Sequence, residues 1–368
     1  MAKAPKLPVH QILDENGELL KGASVPDMPK EDIVELFKTI LKVRVIDSRM
    51  FKMQRQGRIA FYMATQGEEA THVGTAYALK PQDWMFPQYR EHGAAFVRGL
   101  TLQQFINQIF GNSGDLNKGR QMPMHWGSRN LNLVTISSPL GTQIPQCAGA
   151  AYAMKIKKKD SVALAFFGEG TTSEGDFHAG LNFAGVYKAP AIFFCRNNGW
   201  AISTPFHRQT AAENIAVKAV AYGIEGVRVD GNDLFAVIDI VRQARERAVK
   251  GNGPTLIEAL TYRLSSHSTS DDPSAYRSEE KDDGPWKLKE PAVRLRKFLG
   301  NQGLWSMKEE QDWEKACEKE LLDAIKVAEN TPKPEMDALF EDIFDELPWN
   351  LREQKSQLIT FLKNEGKR

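Results

Sequence analysis

The stretch Ser161–Thr204, SVALAFFGEGTTSEGDFHAGLNFAGVYKAPAIFFCRNNGWAIST, decides the fold of this chain. It contains two short apolar runs, Val162–Phe167 and Ala191–Cys195, with a helix-compatible segment, Glu174–Lys188, between them. Parallel neighbours need a helical crossover, so this order predicts a β-α-β unit with two parallel strands. We therefore expect an α/β fold with a mostly parallel sheet flanked by helices.

Polar residues follow directly on both predicted strands. The first run ends at Gly168-Glu169-Gly170, and the second ends before Asn197-Asn198. A right-handed crossover brings Glu169 and Asn198 to the carboxyl ends of two strands at the same edge of the sheet. In open α/β sheets this edge is where ligands bind.

The residues at this edge suit a hard cation and a phosphate. Glu169 offers a carboxylate, Asn198 a neutral carbonyl oxygen, and the Gly-Trp-Ala turn after it free backbone carbonyls. Such oxygen ligands suit Mg²⁺, which usually completes its shell with substrate phosphates and water. The glycines beside Glu169 let backbone amides approach a phosphate. A diphosphate held through Mg²⁺ is therefore favoured over a dinucleotide-binding loop, because Ser173 stands where a third glycine or alanine is required.

Composition excludes several classes of protein. The 368 residues are 42% hydrophobic, enough for a large core and one or two domains. A formal charge of +1 indicates neither a nucleic acid nor an anionic membrane as partner. We find no apolar run of about 18 residues that could span a membrane.

The cysteines and the amino terminus indicate a compartment. Cys147, Cys195 and Cys317 lie far apart, two of them in apolar runs, which predicts buried reduced thiols. The first residues, MAKAPKLPVH, show neither an apolar signal core nor an Arg/Ser-rich transit pattern. We expect a cytoplasmic protein, or a protein of the mitochondrial matrix if the chain is a processed one.

The remaining periodicity divides the chain into three regions. Residues 1–28 predict an N-terminal arm along the surface or along a partner, 29–300 an α/β domain, and 301–368 a helical C-terminal extension. Apolar residues at helical spacing predict a helix over 30–56. The segment Phe206–Ile224 is typical of a loop followed by an amphipathic helix.

A second predicted helix begins at Gly67-Glu68-Glu69 and runs through Leu79. Its acidic residues stand in the first turn, where the helix dipole favours negative charge.

Several motifs together resemble one known family. The Gly-Glu-Gly motif with its later Asn-Asn pair is similar to the thiamin diphosphate motif. GEGTTSEGDFHAGLNFA, FFCRNNGWAIST and RLSSHSTSDDPSAYR closely resemble the α subunits of the decarboxylating component of branched-chain 2-oxo acid dehydrogenases, over roughly Arg44 to Pro348. The resemblance implies a thiamin diphosphate-binding fold. It also implies oxidative decarboxylation of branched-chain 2-oxo acids, with transfer of the acyl group to a lipoyl group of a separate acyltransferase.

The resemblance also implies which residues form the site. Thiamin diphosphate would be contacted by Tyr89, Arg90, Ser138, Leu140, Gly168, Glu169, Gly170, Thr171, Arg196, Asn198 and His267. Magnesium would be held by Glu169, Asn198 and the backbone carbonyl of Trp200. A potassium ion would take oxygens from Ser137, Pro139, Thr142 and Gln143.

Two of these segments also have ordinary structural interpretations. The Tyr89-Arg90 pair alone is typical of a loop with a solvated arginine, although a guanidinium suits a phosphate because it makes two bonds. The segment Ser137–Gln143 alone is typical of a turn whose hydroxyls cap the helix Ile144–Ile156.

The loop Leu264–Arg277 contains the histidine that the family uses in catalysis. His267 stands in that place, and imidazole can carry or release a proton near neutral pH. A histidine in so polar a loop is otherwise usually solvated. Ser268 matches a serine that is phosphorylated in some mitochondrial members, where the phosphate adds negative charge beside an anionic substrate pocket. We interpret His92 as structural and His125, in the long loop Gly111–Asn132, as a weaker site candidate.

The resemblance implies partners as well. The glutamate that activates the cofactor comes from a β subunit in this family, which implies an α₂β₂ heterotetramer. Two alternatives stay open: a pyruvate or acetoin dehydrogenase α subunit of the same architecture, and a non-catalytic cofactor-binding subunit. Glu169 stands where Asp is commoner in the metal motif, a feature that the branched-chain members share and the pyruvate type generally does not. Trp200 replaces a tyrosine of the family, but the expected ligand there is a backbone oxygen.

Overall fold

A computed structural model describes residues 7–366, apart from the side chains of Glu279 and Glu280. Residues 1–6 of the predicted arm and residues 367–368 of the predicted C-terminal extension lie outside the described residues. The strands are β1 (Val9–His10), β2 (Trp84–Phe86), β3 (Ala163–Gly168), β4 (Ala191–Asn197), β5 (Trp200–Ala201), β6 (Thr204–Pro205), β7 (Glu225–Asp230) and β8 (Thr255–Leu260).

The helices surround these strands. The α-helices are α1 (Lys30–Arg55), α2 (Glu69–Ala78), α3 (His92–Val97), α4 (Leu102–Phe110), α5 (Gln143–Ile156), α6 (Gly175–Val186), α7 (Leu234–Val249), α8 (Gly284–Lys287), α9 (Pro291–Asn301), α10 (Met307–Asn330) and α11 (Trp349–Asn364). Short 3-10 turns occupy Arg129–Leu131, Glu169–Ser173, Phe206–Arg208, Ala216–Tyr222, Pro273–Ala275 and Met336–Leu339. A π-helical turn covers Glu279–Asp283.

Six strands form one sheet in the order β1-β7-β8-β4-β3-β2, and every neighbouring pair is parallel. The predicted β-α-β unit is confirmed as β3, α6 and β4. Gly168 lies opposite Arg196 in the register of β3 and β4, so the two strands end side by side. The short strands β5 and β6 form a separate antiparallel ribbon directly after β4.

Both faces of the sheet are covered. Alternate residues of β3 point to opposite sides: Leu164 and Phe166 join a core cluster that includes residues of α1, α2 and α7. Ala163, Ala165 and Phe167 join a second cluster with residues of α5 and α6. Burial on both faces explains why β3 and β4 are continuous apolar runs without polar alternation.

The amino-terminal segment departs from the prediction of a surface arm. Val9 pairs in parallel with Arg228 and adds β1 to the edge of the sheet. Beyond it, the amides of Ile12 and Leu13 donate to Oδ2 of Asp233 at 2.7 and 2.6 Å. This part of the chain is tied to the domain by long-range contacts that its weak periodicity does not reveal.

The predicted amphipathic helix within Phe206–Ile224 is wrong, because only 3-10 turns form there. The turn Ala216–Tyr222 ends at Gly223, whose φ of +64° lies in the left-handed region, and side chains cap its first two amides. The amide of Ala216 donates to Oε2 of the buried Glu258 at 3.2 Å, and that of Val217 donates to Oδ1 of Asn214 at 2.8 Å.

The carboxyl-terminal helices differ in how they pack. Residues of α10 share the larger core cluster with α1, and the indole of Trp313 donates to the carbonyl of Lys38 at 3.0 Å. By contrast, α11 contributes no buried residue. None of the helices in the described part of the chain is both long enough and apolar enough to cross a lipid bilayer.

Candidate active site

A cavity of about 370 Å³ lies at the carboxyl ends of β3 and β4. Every residue predicted to bind the cofactor lines it: Tyr89, Arg90, Ser138, Leu140, Gly168, Glu169, Gly170, Thr171, Arg196, Asn198 and His267, together with Trp200. A larger cavity, about 950 Å³, lies between α1 and the segment Ser265–Pro273 and contains none of these residues. The smaller cavity is therefore the candidate site, because the residues predicted to bind the cofactor line it.

Glu169 begins the turn after β3 and is 2% exposed. Only neutral donors reach its carboxylate: the amide of Asn198 donates to Oε2 at 3.3 Å, and Nε2 of Gln209 donates to Oε1 at 3.2 Å. Burial raises the pKa of Glu169, and the nearby Glu68 carboxylate raises it further. A buried carboxylate without a cationic partner among the described residues suits a bound divalent cation.

Asn198 follows β4 and faces the same space. Its Oδ1 accepts from the amide of Trp200 at 3.1 Å, and the φ of +82° at Gly199 allows this tight turn. No cluster of three or more His, Cys, Asp or Glu that could hold a metal occurs within residues 7–366. A site of one carboxylate, one amide and one carbonyl fits Mg²⁺, which leaves other positions to phosphate and water.

The segment after Glu169 can approach a ligand closely. A Cβ at Gly170 would lie 2.6 Å from Cβ of Ala201, so a side chain there would displace the ribbon β5–β6. Oγ1 of Thr171 is buried without a hydrogen-bond partner in the part of the chain that the structure describes. Buried polar atoms are normally bonded, so this hydroxyl suits an oxygen of a bound diphosphate.

Arg196 is the penultimate residue of β4, two positions before Asn198. Its guanidinium lies between two buried carboxylates. Its Nη1 donates to Oε2 of Glu68 at 2.7 Å, and its Nη2 pairs with Oε1 of Glu91 at 2.5 Å. The other oxygen of Glu91 accepts from the amides of Gln88 and Tyr89 at 3.0 and 2.9 Å. Neither Glu68 nor Glu91 is predicted from the sequence to belong to the site, because each has the pattern of an ordinary residue near a helix start.

His267 contacts two guanidiniums. Nη2 of Arg90 lies 3.2 Å from its Nδ1 and donates to its carbonyl at 2.7 Å, and Nη1 of Arg263 lies 3.3 Å from Nδ1. Burial and these two charges lower the pKa of His267 to about 3. Because guanidiniums only donate, Nδ1 acts as the acceptor and the ring proton resides on Nε2. Arg263 also lines the cavity, although the sequence pattern did not single it out.

The loop around His267 is fixed by its own side chains. Oδ2 of Asp271 accepts from the amide of His267 at 2.7 Å and from the hydroxyl of Tyr276 at 2.6 Å. Arg277 donates to the carbonyl of Ser265 at 2.9 Å. Ser268 is 6% exposed in this arrangement, so a modifying enzyme would need the loop to open.

The predicted potassium ligands lie at the start of α5. The hydroxyl of Thr142 donates to the carbonyl of Pro139 at 3.0 Å, and Nε2 of Gln143 donates to the carbonyl of Phe166 at 2.9 Å. Ser137 precedes this turn and is partly buried. Thr142 is the N-cap residue of α5, but its hydroxyl accepts no amide of the first helical turn, so the expected cap by this hydroxyl is not formed.

The other two histidines considered in the sequence, His125 and His92, lie in different surroundings. His125 is 3% exposed and lines the cavity, where its Nε2 lies 2.8 Å from Oγ of Ser138. His92 is fully buried outside the cavity lining: its Nε2 lies 3.0 Å from Oδ1 of Asp47, and its ring stacks on Phe105 at 5.4 Å. The cavity also has apolar walls that the sequence did not indicate, formed by Phe61, Met63, Met122, Ala201 and Ile202.

Known proteins resemble this chain over nearly its whole length. The sequence model of the family described as "Dehydrogenase E1 component" matches residues 37–337. The chain is 47% identical over 360 residues to "2-oxoisovalerate dehydrogenase subunit alpha, mitochondrial" of Pan troglodytes and of Homo sapiens, covering 98% of this chain and 81% of each relative. Identity to "2-oxoisovalerate dehydrogenase subunit alpha 2, mitochondrial" of Arabidopsis thaliana is 47% over 350 residues, covering 95% of this chain and 74% of the relative. The chain belongs to the dehydrogenase E1 component family.

Proposed function

We propose that this chain is the α subunit of a branched-chain 2-oxo acid dehydrogenase. It takes part in the oxidative decarboxylation of branched-chain 2-oxo acids and in transfer of the acyl group to the lipoyl group of a partner acyltransferase. The observation that carries the proposal is the buried Glu169 carboxylate beside Asn198, without a cationic partner among the described residues, in a cavity shared with Arg90 and His267. The names of the relatives support the same activity.

Thiamin diphosphate and Mg²⁺ fit the residues present. Glu169, Asn198 and the carbonyl of Trp200 would hold Mg²⁺. The diphosphate would be bound by residues of the strand ends and of the neighbouring loops: Tyr89, Arg90, Gly168, Gly170, Thr171, Arg196 and His267. Ser138 and the backbone of Leu140 would contact the aminopyrimidine ring, and Ser137, Pro139, Thr142 and Gln143 would hold a potassium ion.

The chemistry divides between the cofactor and the chain. When bound, thiamin diphosphate supplies the nucleophilic carbon for the 2-oxo group and the electron sink for the loss of carbon dioxide. His267 offers a neutral Nε2–H donor, because Arg90 and Arg263 keep its Nδ1 unprotonated. The apolar side chains of Phe61, Met122 and Ile202 line the cavity and would face a branched alkyl chain.

A partner subunit completes the site. Glu169 is the one carboxylate among the described residues that line the cavity, and its position beside Asn198 supports a role as metal ligand. The acid that activates the cofactor would come from a β subunit, in an α₂β₂ heterotetramer. We expect the purified chain alone to show no turnover, and robust decarboxylation without a partner would contradict this assembly.

Calorimetric titration tests the cofactor site. Thiamin diphosphate should bind the assembled protein tightly with Mg²⁺ and weakly without it. Glu169→Ala should abolish the difference, because it removes the charged metal ligand. Equal binding by both proteins under both conditions would refute the metal clamp.

The substrate is tested by comparing decarboxylation of 4-methyl-2-oxopentanoate with that of pyruvate. The apolar cavity wall leads us to expect a clear preference for the branched substrate. A preference for pyruvate would instead assign the chain to a pyruvate dehydrogenase of the same architecture. His267→Ala separates a catalytic subunit from a cofactor-binding scaffold, because it should abolish acyl transfer in the first case only.

We propose a reducing compartment, either the cytoplasm or the mitochondrial matrix. Cys147, Cys195 and Cys317 are all buried and free of disulfides. The names of the relatives place those proteins in mitochondria. Fractionation of the native source, followed by immunodetection of this chain, decides between the two compartments.

A further inference from the structure

Glu68 stands directly before α2 and is fully buried. Its Oε1 accepts from Nδ2 of Asn198 at 3.0 Å, and its Oε2 accepts from Nη1 of Arg196 at 2.7 Å. Nε of Arg90 lies 4.0 Å from Oε1. The Glu68 carboxylate therefore connects the side-chain amide of Asn198 with the guanidiniums of Arg196 and Arg90. Glu68 itself does not line the cavity.

The contact with Asn198 determines which end of that amide faces the metal. A carboxylate accepts hydrogen bonds and cannot donate them, so it requires the NH₂ group of the amide. With Nδ2 directed to Glu68, Oδ1 is turned away from it, toward the amide of Trp200. The backbone amide of Asn198 contacts Glu169 at 3.3 Å, so Asn198 and Glu169 lie side by side at the strand ends.

A purely structural ion pair is the rival explanation, and the neighbouring residues argue against it. Glu91 already pairs with Arg196 on its other side, so neutralising that guanidinium does not require Glu68. The bond to Glu68 is the one hydrogen bond of Nδ2 of Asn198 within the described residues. Removing Glu68 would thus leave the amide held only through Oδ1.

We propose that Glu68 is a positioning residue that orients Asn198 for Mg²⁺, an inference that rests on the function proposed above. Loss of the negative charge of Glu68 weakens the hydrogen bond that holds Nδ2 of Asn198, and with it the preference for one orientation of the amide. A hydrogen bond to a charged group is stronger than one between neutral groups. We therefore expect Glu68→Gln to raise the Kd for Mg²⁺ at least about tenfold.

The test uses the chain assembled with its partner subunit. Mg²⁺ is titrated calorimetrically at saturating thiamin diphosphate into wild type, Glu68→Gln and Asp83→Asn. Asp83→Asn is the matched control, because Asp83 is an equally buried carboxylate whose arginine partner, Arg245, does not line the cavity. Melting of each metal-free assembly reports the purely structural contribution of either carboxylate.

The expected result is a large loss of Mg²⁺ affinity in Glu68→Gln and a change of less than about threefold in Asp83→Asn. Equal affinity in wild type and Glu68→Gln would overturn this inference alone. Absence of Mg²⁺ binding by wild type would overturn the proposed function together with it.

A double-mutant cycle shows whether Glu68 acts through Asn198. Glu68→Gln should cost little further affinity once Asn198→Ala is present, and additive losses would contradict the proposal. Should Glu68→Gln not assemble, the pair Glu68→Gln with Asn198→Asp restores the hydrogen bond with donor and acceptor exchanged. Recovery of assembly and Mg²⁺ binding by this pair supports the contact, and failure to recover overturns it.

Discussion

The backbone amide of Asn198 donates a hydrogen bond to the carboxylate of Glu169 at 3.3 Å, across the ends of two neighbouring parallel strands. This contact joins the two residues that the sequence placed at one edge of the sheet. Within residues 7–366, the Glu169 carboxylate forms no ion pair with a basic side chain, so this edge of the sheet retains the features of a metal site. The arrangement leads to four predictions about stability and binding.

Glu169→Gln should stabilise the cofactor-free protein while weakening metal binding. Burial raises the pKa of Glu169, which means that keeping its charged form buried at neutral pH costs stability. We expect a higher melting temperature without ligands and a loss of Mg²⁺ affinity of about a hundredfold or more. Differential scanning calorimetry and Mg²⁺ titration measure the two effects, and an unchanged affinity would contradict a role as ligand.

Gly170→Val should weaken cofactor binding by displacing the ribbon β5–β6. A Cβ at this position would come within 2.6 Å of Cβ of Ala201, which is closer than real contacts allow. Gly175→Ala is the control, because nothing lies within 4 Å of a Cβ at Gly175. We expect titration with thiamin diphosphate to show a loss of affinity in the first variant and wild-type affinity in the second; equal affinities would show that the ribbon tolerates the side chain.

His267 should make the stability of the cofactor-free protein fall in mild acid. Its pKa is lowered from 6.5 to about 3 by burial and by the two arginines. Between these values the unfolded chain binds a proton that the folded chain does not, so the contribution is complete above pH 6.5 and is lost as the pH falls toward 3. Melting temperatures measured from pH 7.5 to pH 5 should decline less steeply in His267→Gln, and identical slopes would show that this imidazole is not shielded from protons.

Asp233→Ala should destabilise the fold far from the site. Asp233 accepts from the amides of Ile12 and Leu13 through one oxygen and caps α7 through the other. Losing the cap alone costs about 1 kcal/mol, and stranding buried amides adds about 1–3 kcal/mol. Asp239→Ala, which removes a half-exposed partner of His10, should cost less than about 1 kcal/mol. Urea unfolding compares the two variants; a smaller effect for Asp233→Ala would mean that the amino-terminal segment contributes little.

The local sequence pattern predicted the central unit of β3, α6 and β4 correctly. The runs that became β3 and β4, and the helix α6 between them, were recognisable because their apolar residues, glycines and helix-ending proline all lie within one continuous stretch. The helix within Phe206–Ile224 was predicted wrongly, because Ala216–Tyr222 forms a 3-10 turn instead. Apolar spacing over so short a segment does not distinguish a 3-10 turn from an α-helix.

The sequence by itself determined the parallel β-α-β unit, the position of Glu169 and Asn198 at one edge of the sheet, and, through its motifs, the family. Only the tertiary structure decided that Glu68 contacts Asn198, 130 positions away, and that Arg90 contacts His267, 177 positions away. The physical reason is that strand order and crossover handedness follow from local patterns, whereas the partner of a buried charge depends on which elements pack together. In the sequence, Glu68 has the pattern of a residue at a helix start. In the folded chain the start of α2 lies beside the end of β4, and there the Glu68 carboxylate contacts the side-chain amide of Asn198.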